Sequence, residues 1–444
     1  MEIPRRPPTR DELWKKVALN EIPFMDAVAR VAEPTVSGKY LHWDKLRHRT
    51  PPDGLDHQGW WFGLKIHRMG LAKRIPLSDV AGRNFTFNLV DPLPECLHHI
   101  DSLSRGVVQV PEPVTNPETR NRYIIRSLIE ESITSSQLEG ASTTREVAKE
   151  MLRQGRRPRD RSEQMIMNNY LTMQSVLKLK GELLSKELVF RIHRMVTEGT
   201  LDEPTGTGRF RRPEEEIVVG DDYGEIFHAP PPAIQLDGRM AAMCDFANGV
   251  TPSGFVHPVV RSIILHFWLA YDHPFIDGNG RTARALFYWC MLKNGYWLFE
   301  YVTISKIILK GPARYGRAFL YTETDDNDLT YFLLYHADVI KRAIDELHEY
   351  IEHRTEVLRR AETELRGLTS LNHRQREVIS HAIRHPGFRY YTVESHRNSH
   401  NVVYETARSD LMDLAERHLL IKHKQGKTWH FSPAPDLEAR LRSS

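Results

Sequence analysis

The chain has 444 residues, enough for two or three domains that each bury a core of their own. Hydrophobic residues make up 40% and charged residues 27%, which excludes a disordered or fibrous chain, and a formal charge of +3 is too small to demand a nucleic-acid partner. The three scattered cysteines, Cys96, Cys244 and Cys290, form no CxxC pair, which argues against structural zinc or a disulfide scaffold and fits a reducing compartment.

The N-terminus, "MEIPRRPPTRDELW", is charged and proline-rich with no apolar signal-type run, and no later run reaches the roughly 20 apolar residues of a membrane span. A cytoplasmic protein with no membrane partner is expected. Residues 1–117 alternate short aromatic or apolar runs ("GWWFGLKIH", "FTFNLVD") with proline and glycine, the pattern of an α/β extension, and "VPEPVTNPE" marks its boundary. Within it Trp60 and Trp61 read as core or edge packing.

Residues 118–335 are dominated by the helical period, as in "NRYIIRSLIEESI", "KELVFRIHRMV" and "PVVRSIILHFWLAY". One interruption, "GRFRRPEEEIVVGDDYGEIFHAPPP", predicts a solvent-facing β-hairpin. Residues 336–370 read as a connecting helix whose stripe, Ile340, Ile344, Leu347, Ile351 and Leu358, suits pairing with a neighbour in the same chain or, as a homodimer, with a second copy. Residues 371–444 give three short helices and then a two-stranded wing with a Gly-Lys turn, the order of a winged helix-turn-helix. Arg389, Arg397, Arg408, Lys422, Lys424 and Lys427 make that segment locally basic. The fold class expected is therefore mainly α, with a hairpin on a helical body, an N-terminal α/β extension and a C-terminal winged helix.

The densest chemistry lies in "HPFIDGNGRTAR", His273 to Arg284. Pro274 stops the preceding apolar helix, so a loop follows, and Phe275, its one large apolar side chain, should plug the core. Gly278 and Gly280 allow close approach to the backbone, and a second helix starting near Arg281 would aim free N–H groups at an anion. Arg281 and Arg284, three apart, share a face at a helix start where cations oppose the dipole, so a bound polyanion or a buried carboxylate explains them better than helix stability does. Asp277 beside a phosphate would repel it unless Mg2+ sat between them. Taken singly, "DGNG" is an ordinary tight turn and His273 an ordinary capping residue; their conjunction is what points to a phosphate site.

That conjunction resembles the Fic family signature HxFx(D/E)GNGRxxR at every fixed position. The resemblance implies a helical domain that transfers AMP from ATP to a Ser, Thr or Tyr hydroxyl of a target protein. By it, His273 is the general base, Asp277 the Mg2+ ligand, and Phe275, Gly278, Asn279, Gly280, Arg281 and Arg284 belong to the nucleotide site. Arg281 would contact the β-phosphate and Arg284 the γ-phosphate. The hairpin, Glu216 through His228, resembles the family's flap, whose backbone edge at Ile217, Val218, Val219 and Gly220 would take an extended target segment. Tyr315 in "ARYGRAF" would line the nucleotide pocket.

"SSQLEGAST" resembles the family's inhibitory motif (S/T)xxxE(G/N), with Ser135, Glu139 and Gly140 at the fixed positions, on a helix of about residues 121–140 that ends at Gly140. A carboxylate on a last helical turn is disfavoured by the dipole, so Glu139 calls for a cationic partner, and Arg284 is the candidate. Pairing would withdraw Arg284 from the nucleotide and leave the enzyme resting but able to modify itself when released. The resemblance leaves open removal of AMP and transfer of another nucleoside monophosphate. A different class of function is a DNA-binding regulator with a nucleotide-sensing body, in which Tyr404, Thr406, Arg408 and Ser409 face the groove; Glu405, Asp410 and Asp413 on the same helix weigh against tight phosphate contact, and the segment could instead bind protein.

Overall fold

The computed structural model describes residues 2–105, 117–221, 223–365, 371–384, 388–425, 428–437 and 440. The chain divides into two compact units, one formed by Met1–Val108 with Ile124–Asp345, the other by Gln109–Tyr123 with Glu346–Ser444. Helices dominate both.

The first unit opens with α1 (Arg10–Ala18), α2 (Phe24–Arg30), α3 (Trp43–Leu46) and α4 (His57–Leu71). Thr9 and Glu12 form a reciprocal cap at the start of α1, and Asp56 accepts from the Gly59 amide at the start of α4. "GWWFGLKIH" lies inside α4 rather than in a strand, and Trp60, Trp61, Phe62 and Leu64 are buried in the local core. "FTFNLVD" supplies β2 (Asn84–Phe87), antiparallel to β1 (Lys73–Ser78), before α5 (Leu93–Ser104). "VPEPVTNPE" falls almost entirely outside the described residues.

The N-terminal extension shares its interior with the helical body. Lys65 of α4 pairs with Asp325 at 2.8 Å, and Arg68, also on α4, donates to Tyr331 at 3.0 Å and to the Leu41 carbonyl at 2.9 Å. The Thr86 carbonyl accepts from Leu329 N at 2.8 Å, stitching β2 to the same 325–331 corner. Proline punctuation reads as a boundary in one dimension; buried charges that find partners some 260 positions away erase it in three.

The helical body comprises α6 (Pro117–Leu138), α7 (Arg145–Gln154), α8 (Arg161–Leu179), α9 (Lys186–Thr197), α10 (Leu236–Ala247), α11 (Pro258–Asp272), α12 (Asn279–Lys293), α13 (Ile304–Leu309) and α14 (Pro312–Thr324). α11 and α12 are buried nearly all round, α12 taking Asn279, Arg281 and Arg284 of its first turns into the interior, which makes them the central pair. The predicted hairpin is present but short: β3 (Val219–Gly220) pairs antiparallel with β4 (Ile226–His228). In α15 (Thr330–Leu365), Ile340, Ile344, Leu347 and Ile351 are buried. The side chain of Leu358 is outside the described residues.

In the second unit, α16 (His373–Arg384), β5 (Tyr391–Thr392), α17 (Val393–His400), α18 (Tyr404–Glu416), β6 (Leu420–Gln425) and β7 (Thr428–Pro433) enclose a core that includes Ile379, Leu411, Leu414 and Phe431. The sheet order is β5-β7-β6, one strand more than the two-stranded wing read from the sequence. Asp410 is buried, accepting from Arg374 at 2.6 Å and Asn372 at 2.8 Å, so it staples helices together and carries no weight against phosphate contact. The Gly-Lys turn, with Lys427, lies outside the described residues.

Candidate active site

α11 ends at His273, which adopts a left-handed conformation (φ 44°) and returns its amide to the Leu269 carbonyl at 3.0 Å. Its Nδ1 lies 3.2 Å from the Ala270 carbonyl. A carbonyl only accepts, so the proton sits on Nδ1 and Nε2 keeps its lone pair. Burial, together with the nearby positive charges of His228 and Arg211, pulls the ring's pKa to about 4, so it is neutral at physiological pH.

The loop after His273 is held from both sides. Phe275 is fully buried and stacks on His193 at 3.7 Å, which places it in the core rather than against a ligand. Asn279 bonds to both polar groups of the Phe275 backbone, accepting from its N–H at 3.0 Å and donating to its carbonyl at 2.8 Å. The side-chain amide of Asn279 therefore shapes the loop through one acceptor and one donor, and its backbone N–H stands at the start of the next helix. His193 accepts from Gly208 N at 3.0 Å and donates to the Asp277 carbonyl at 2.9 Å, so both of its nitrogens are assigned to the loop, and burial lowers its pKa to about 4.

α12 begins two residues earlier than expected, with Gly278 as its cap at φ 81°. A Cβ there would sit 2.6 Å from Thr197, so both conformation and space demand glycine. The first intrahelical bond is Thr282 N to the Gly278 carbonyl, which leaves the amides of 279–281 with no helical acceptor. Glu139 lies against this first turn: a Cβ on Gly280 would sit 2.2 Å from Glu139 Oε1.

The two arginines do not act as one fork. Arg281 is fully buried and turns to the carbonyl of Val196 at 2.7 Å, near the C-terminus of α9, with Asp277 Oδ2 at 3.5 Å. The negative end of that neighbouring helix explains a cation at a helix start. Arg284, also buried, donates from Nε to Ser135 Oγ and from Nη2 to the Ser135 carbonyl, each at 2.8 Å, and from Nη2 to Glu139 Oε1 at 2.9 Å. α6 is itself anchored, with Glu131 accepting from Ser305 N at 3.1 Å and Ser136 donating to the Met165 carbonyl at 3.2 Å. Gly140 follows at φ 88°, the left-handed position expected at a helix end. Tyr315 hydrogen-bonds His266 at 2.9 Å and lies against Arg284, and burial pushes its pKa up.

Asp277 remains partly exposed, its Oδ1 accepting from Gly278 N at 2.5 Å and its Oδ2 3.7 Å from Arg161. On the hairpin, Val218 and Gly220 are exposed while Ile217 and Val219 are half-buried, and among the described residues β3 pairs only with β4. Arg211 ties the flap's base to the loop, bonding through its amide to the Pro274 carbonyl at 2.9 Å, through Nε to the His273 carbonyl at 3.0 Å, and through Nη2 to Pro231. Sequence reasoning missed the roles of His193, Arg161 and Arg211; Arg211 stood inside the quoted "GRFR", whereas His193 looked like any residue of an amphipathic helix.

Residues 183–291 match the family model described as Fic/DOC family, a segment that contains the whole loop and both arginines. Protein adenylyltransferase Fic of Nematostella vectensis is 28% identical over 171 residues, 38% of this chain and 36% of that protein. The protein of the same description from Drosophila willistoni is 30% identical over 176 residues, 40% of this chain and 31% of that protein. The chain thus spans about a third of the length of these relatives. A crystal structure of a Fic family protein from Desulfovibrio desulfuricans G20 superposes with a TM-score of 0.51 at 19% identity, covering 78% of this chain and 97% of that one, a likeness of fold.

Proposed function

We propose that this Fic-domain chain is a protein adenylyltransferase that passes AMP from ATP to a Ser, Thr or Tyr hydroxyl of a target protein, and that Glu139 holds it at rest. The observation that carries the reading is the pairing of a neutral imidazole, lone pair on Nε2, with a glycine-capped helix terminus beside it. In this reading the target hydroxyl gives its proton to His273 Nε2 as its oxygen bonds to the α-phosphorus. The bond between that phosphorus and the α–β bridging oxygen breaks, and pyrophosphate leaves. Backbone amides of 279–281 offset the developing charge at the start of α12. Phe275, Asn279 and His193 hold the loop in shape without touching the reacting atoms.

Mg2+ fits the donor set. Asp277 offers a partly exposed carboxylate at the loop, and no cluster of three or more His, Cys, Asp and Glu side chains among the described residues is arranged to cage a metal, so phosphate oxygens and water would complete the shell. When bound, the ion neutralises phosphate charge. Arg284 is shared between two states: with Glu139 it is closed, and freed of Glu139 it reaches the nucleotide's terminal phosphate, with Tyr315 at its side.

Labelled ATP and magnesium, followed by intact-mass measurement, test the reading. Little self-modification is expected from the native chain, more from Glu139→Gly, and none once His273→Ala is added. Equal labelling in all three removes the assignment, and transfer from UTP or CTP alone changes the donor.

A second reading concerns the C-terminal unit, which we read as a winged helix; its three short helices and β5-β7-β6 sheet support that reading. Lys422 and Lys424 flank the partly exposed Trp429 on the wing, and Tyr404, Arg408 and Ser409 are exposed on α18 while Thr406 is half-buried. We assign it duplex DNA as partner, with phosphate contacts carried by the wing. Binding whose logarithm falls linearly with log salt supports this, and no binding at about 50 mM salt removes it.

A further inference from the structure

His228 closes the flap hairpin and serves neither the nucleotide nor the brake. It ends β4, where its Cα is the register partner of Val219, in the strand read as the target-binding edge. Its Nδ1 lies 2.7 Å from Glu323 Oε2 on α14, and its Nε2 lies 2.7 Å from the Tyr271 carbonyl on α11, two residues ahead of His273. An ionised carboxylate and a carbonyl can only accept. Both ring nitrogens must therefore carry hydrogen, a condition met by the imidazolium alone.

We propose that His228, as an imidazolium shared between α11 and α14, is the positioning residue that fixes the flap strand over the catalytic loop; this rests on reading the flap as the target-binding edge. Burial pulls the ring's pKa down, but the hydrogen bond and charge of Glu323, with help from the Tyr271 carbonyl and Asp272, more than offset it and leave it above the ordinary 6.5. The other charged groups around it are spoken for: Asp272 pairs with Arg239 of α10 at 2.6 Å, and His273 is neutral. The flap then has two clamps, Arg211 before the hairpin and His228 at its end, both closing on backbone within four residues of His273. The same positive charge contributes to lowering the pKa of His273, so the latch also favours the unprotonated base.

Loss of the proton sets a nitrogen lone pair against an oxygen at 2.7 Å, so the latch opens as pH rises. Because the folded pKa is raised, its contribution is complete below 6.5 and is lost as pH passes upward through the folded value.

The full chain is compared with His228→Gln, which keeps one donor but no charge, and Glu323→Gln, which removes the counter-charge. Three readouts are taken: the ring's titration by NMR, hydrogen exchange of residues 217–228 corrected for intrinsic pH dependence, and labelled-ATP incorporation in a Glu139→Gly background. The ring should titrate above 6.5. Flap amides should exchange roughly tenfold faster in both variants, the loss of one charge-assisted bond. Native flap protection should fall as pH rises above 6.5 while that of His228→Gln stays flat. A ring titrating at or below 6.5, or unchanged flap exchange in Glu323→Gln, overturns the latch, and the native titration decides even where a variant fails to fold. Exchange as expected with no incorporation in any background retains the latch and removes the transferase reading.

Discussion

Replacing Glu139 by Gln removes one charge and almost no volume. Arg284 keeps its two bonds to Ser135 but loses the charged member of its 2.9 Å contact, and its guanidinium stays buried, with 2% of the side chain exposed. A hydrogen bond to a charged group contributes about 1.5–3 kcal/mol, and the partial exposure of Glu139 places this one near 2 kcal/mol. The closed state then loses about thirtyfold in population against any state in which Arg284 is free, since each 1.4 kcal/mol is a factor of ten. Initial rates of AMP incorporation, read by intact mass with ATP and magnesium, should rise by up to that factor. Urea unfolding without nucleotide should show the variant about 2 kcal/mol less stable. Saturating ATP should restore it, because ligand at about a hundred times its Kd contributes about 2.7 kcal/mol. A variant no faster and no less stable than the native chain would refute the reasoning, because Arg284 would then not be held by Glu139's charge.

Asn279→Ala removes both bonds to the Phe275 backbone and should abolish incorporation at a cost of about 2–3 kcal/mol in urea stability. Asp325→Asn leaves the buried Arg68 beside a neutral amide, while the half-buried Lys65 keeps Asp326 at 3.1 Å; about 3 kcal/mol should be lost in denaturant, with His273 chemistry intact in the surviving folded fraction. His42, His193 and His273, with pKa values held near 4 by burial, and His336, near 3, bind fewer protons folded than unfolded, so their contribution is complete above pH 6.5 and is lost as pH falls toward 4. An acid-unfolding curve flat through pH 5 would contradict that, and the acid limb of incorporation measured on folded protein should lie nearer pH 4 than 6.5. Chelation with EDTA should stop incorporation without altering the unfolding curve, which separates a substrate-bound cation from a structural one.

Much of the site is legible in local sequence because its parts are local. Pro274 stops α11, Gly278 starts α12 and Gly140 ends α6, each through a backbone preference that needs no distant neighbour. The demand of Glu139 for a cation also follows from its position at a helix end. Spacing shows which side chains can share a face; burial shows which partners Arg281, Asn279 and Phe275 meet within the chain.

The amino-acid order by itself determined the helical body, the short hairpin and the twelve-residue loop between two helices, since capping, period and turn chemistry act over a few residues. Only the folded chain decided that residues 2–105 share an interior with the helices, that His193 and Arg211 brace the loop, and that His228 bridges α11 and α14. Those outcomes turn on desolvated charges and hydrogen bonds whose partners lie tens to hundreds of positions apart, and a buried polar group takes its role from whichever partner the packing brings to it.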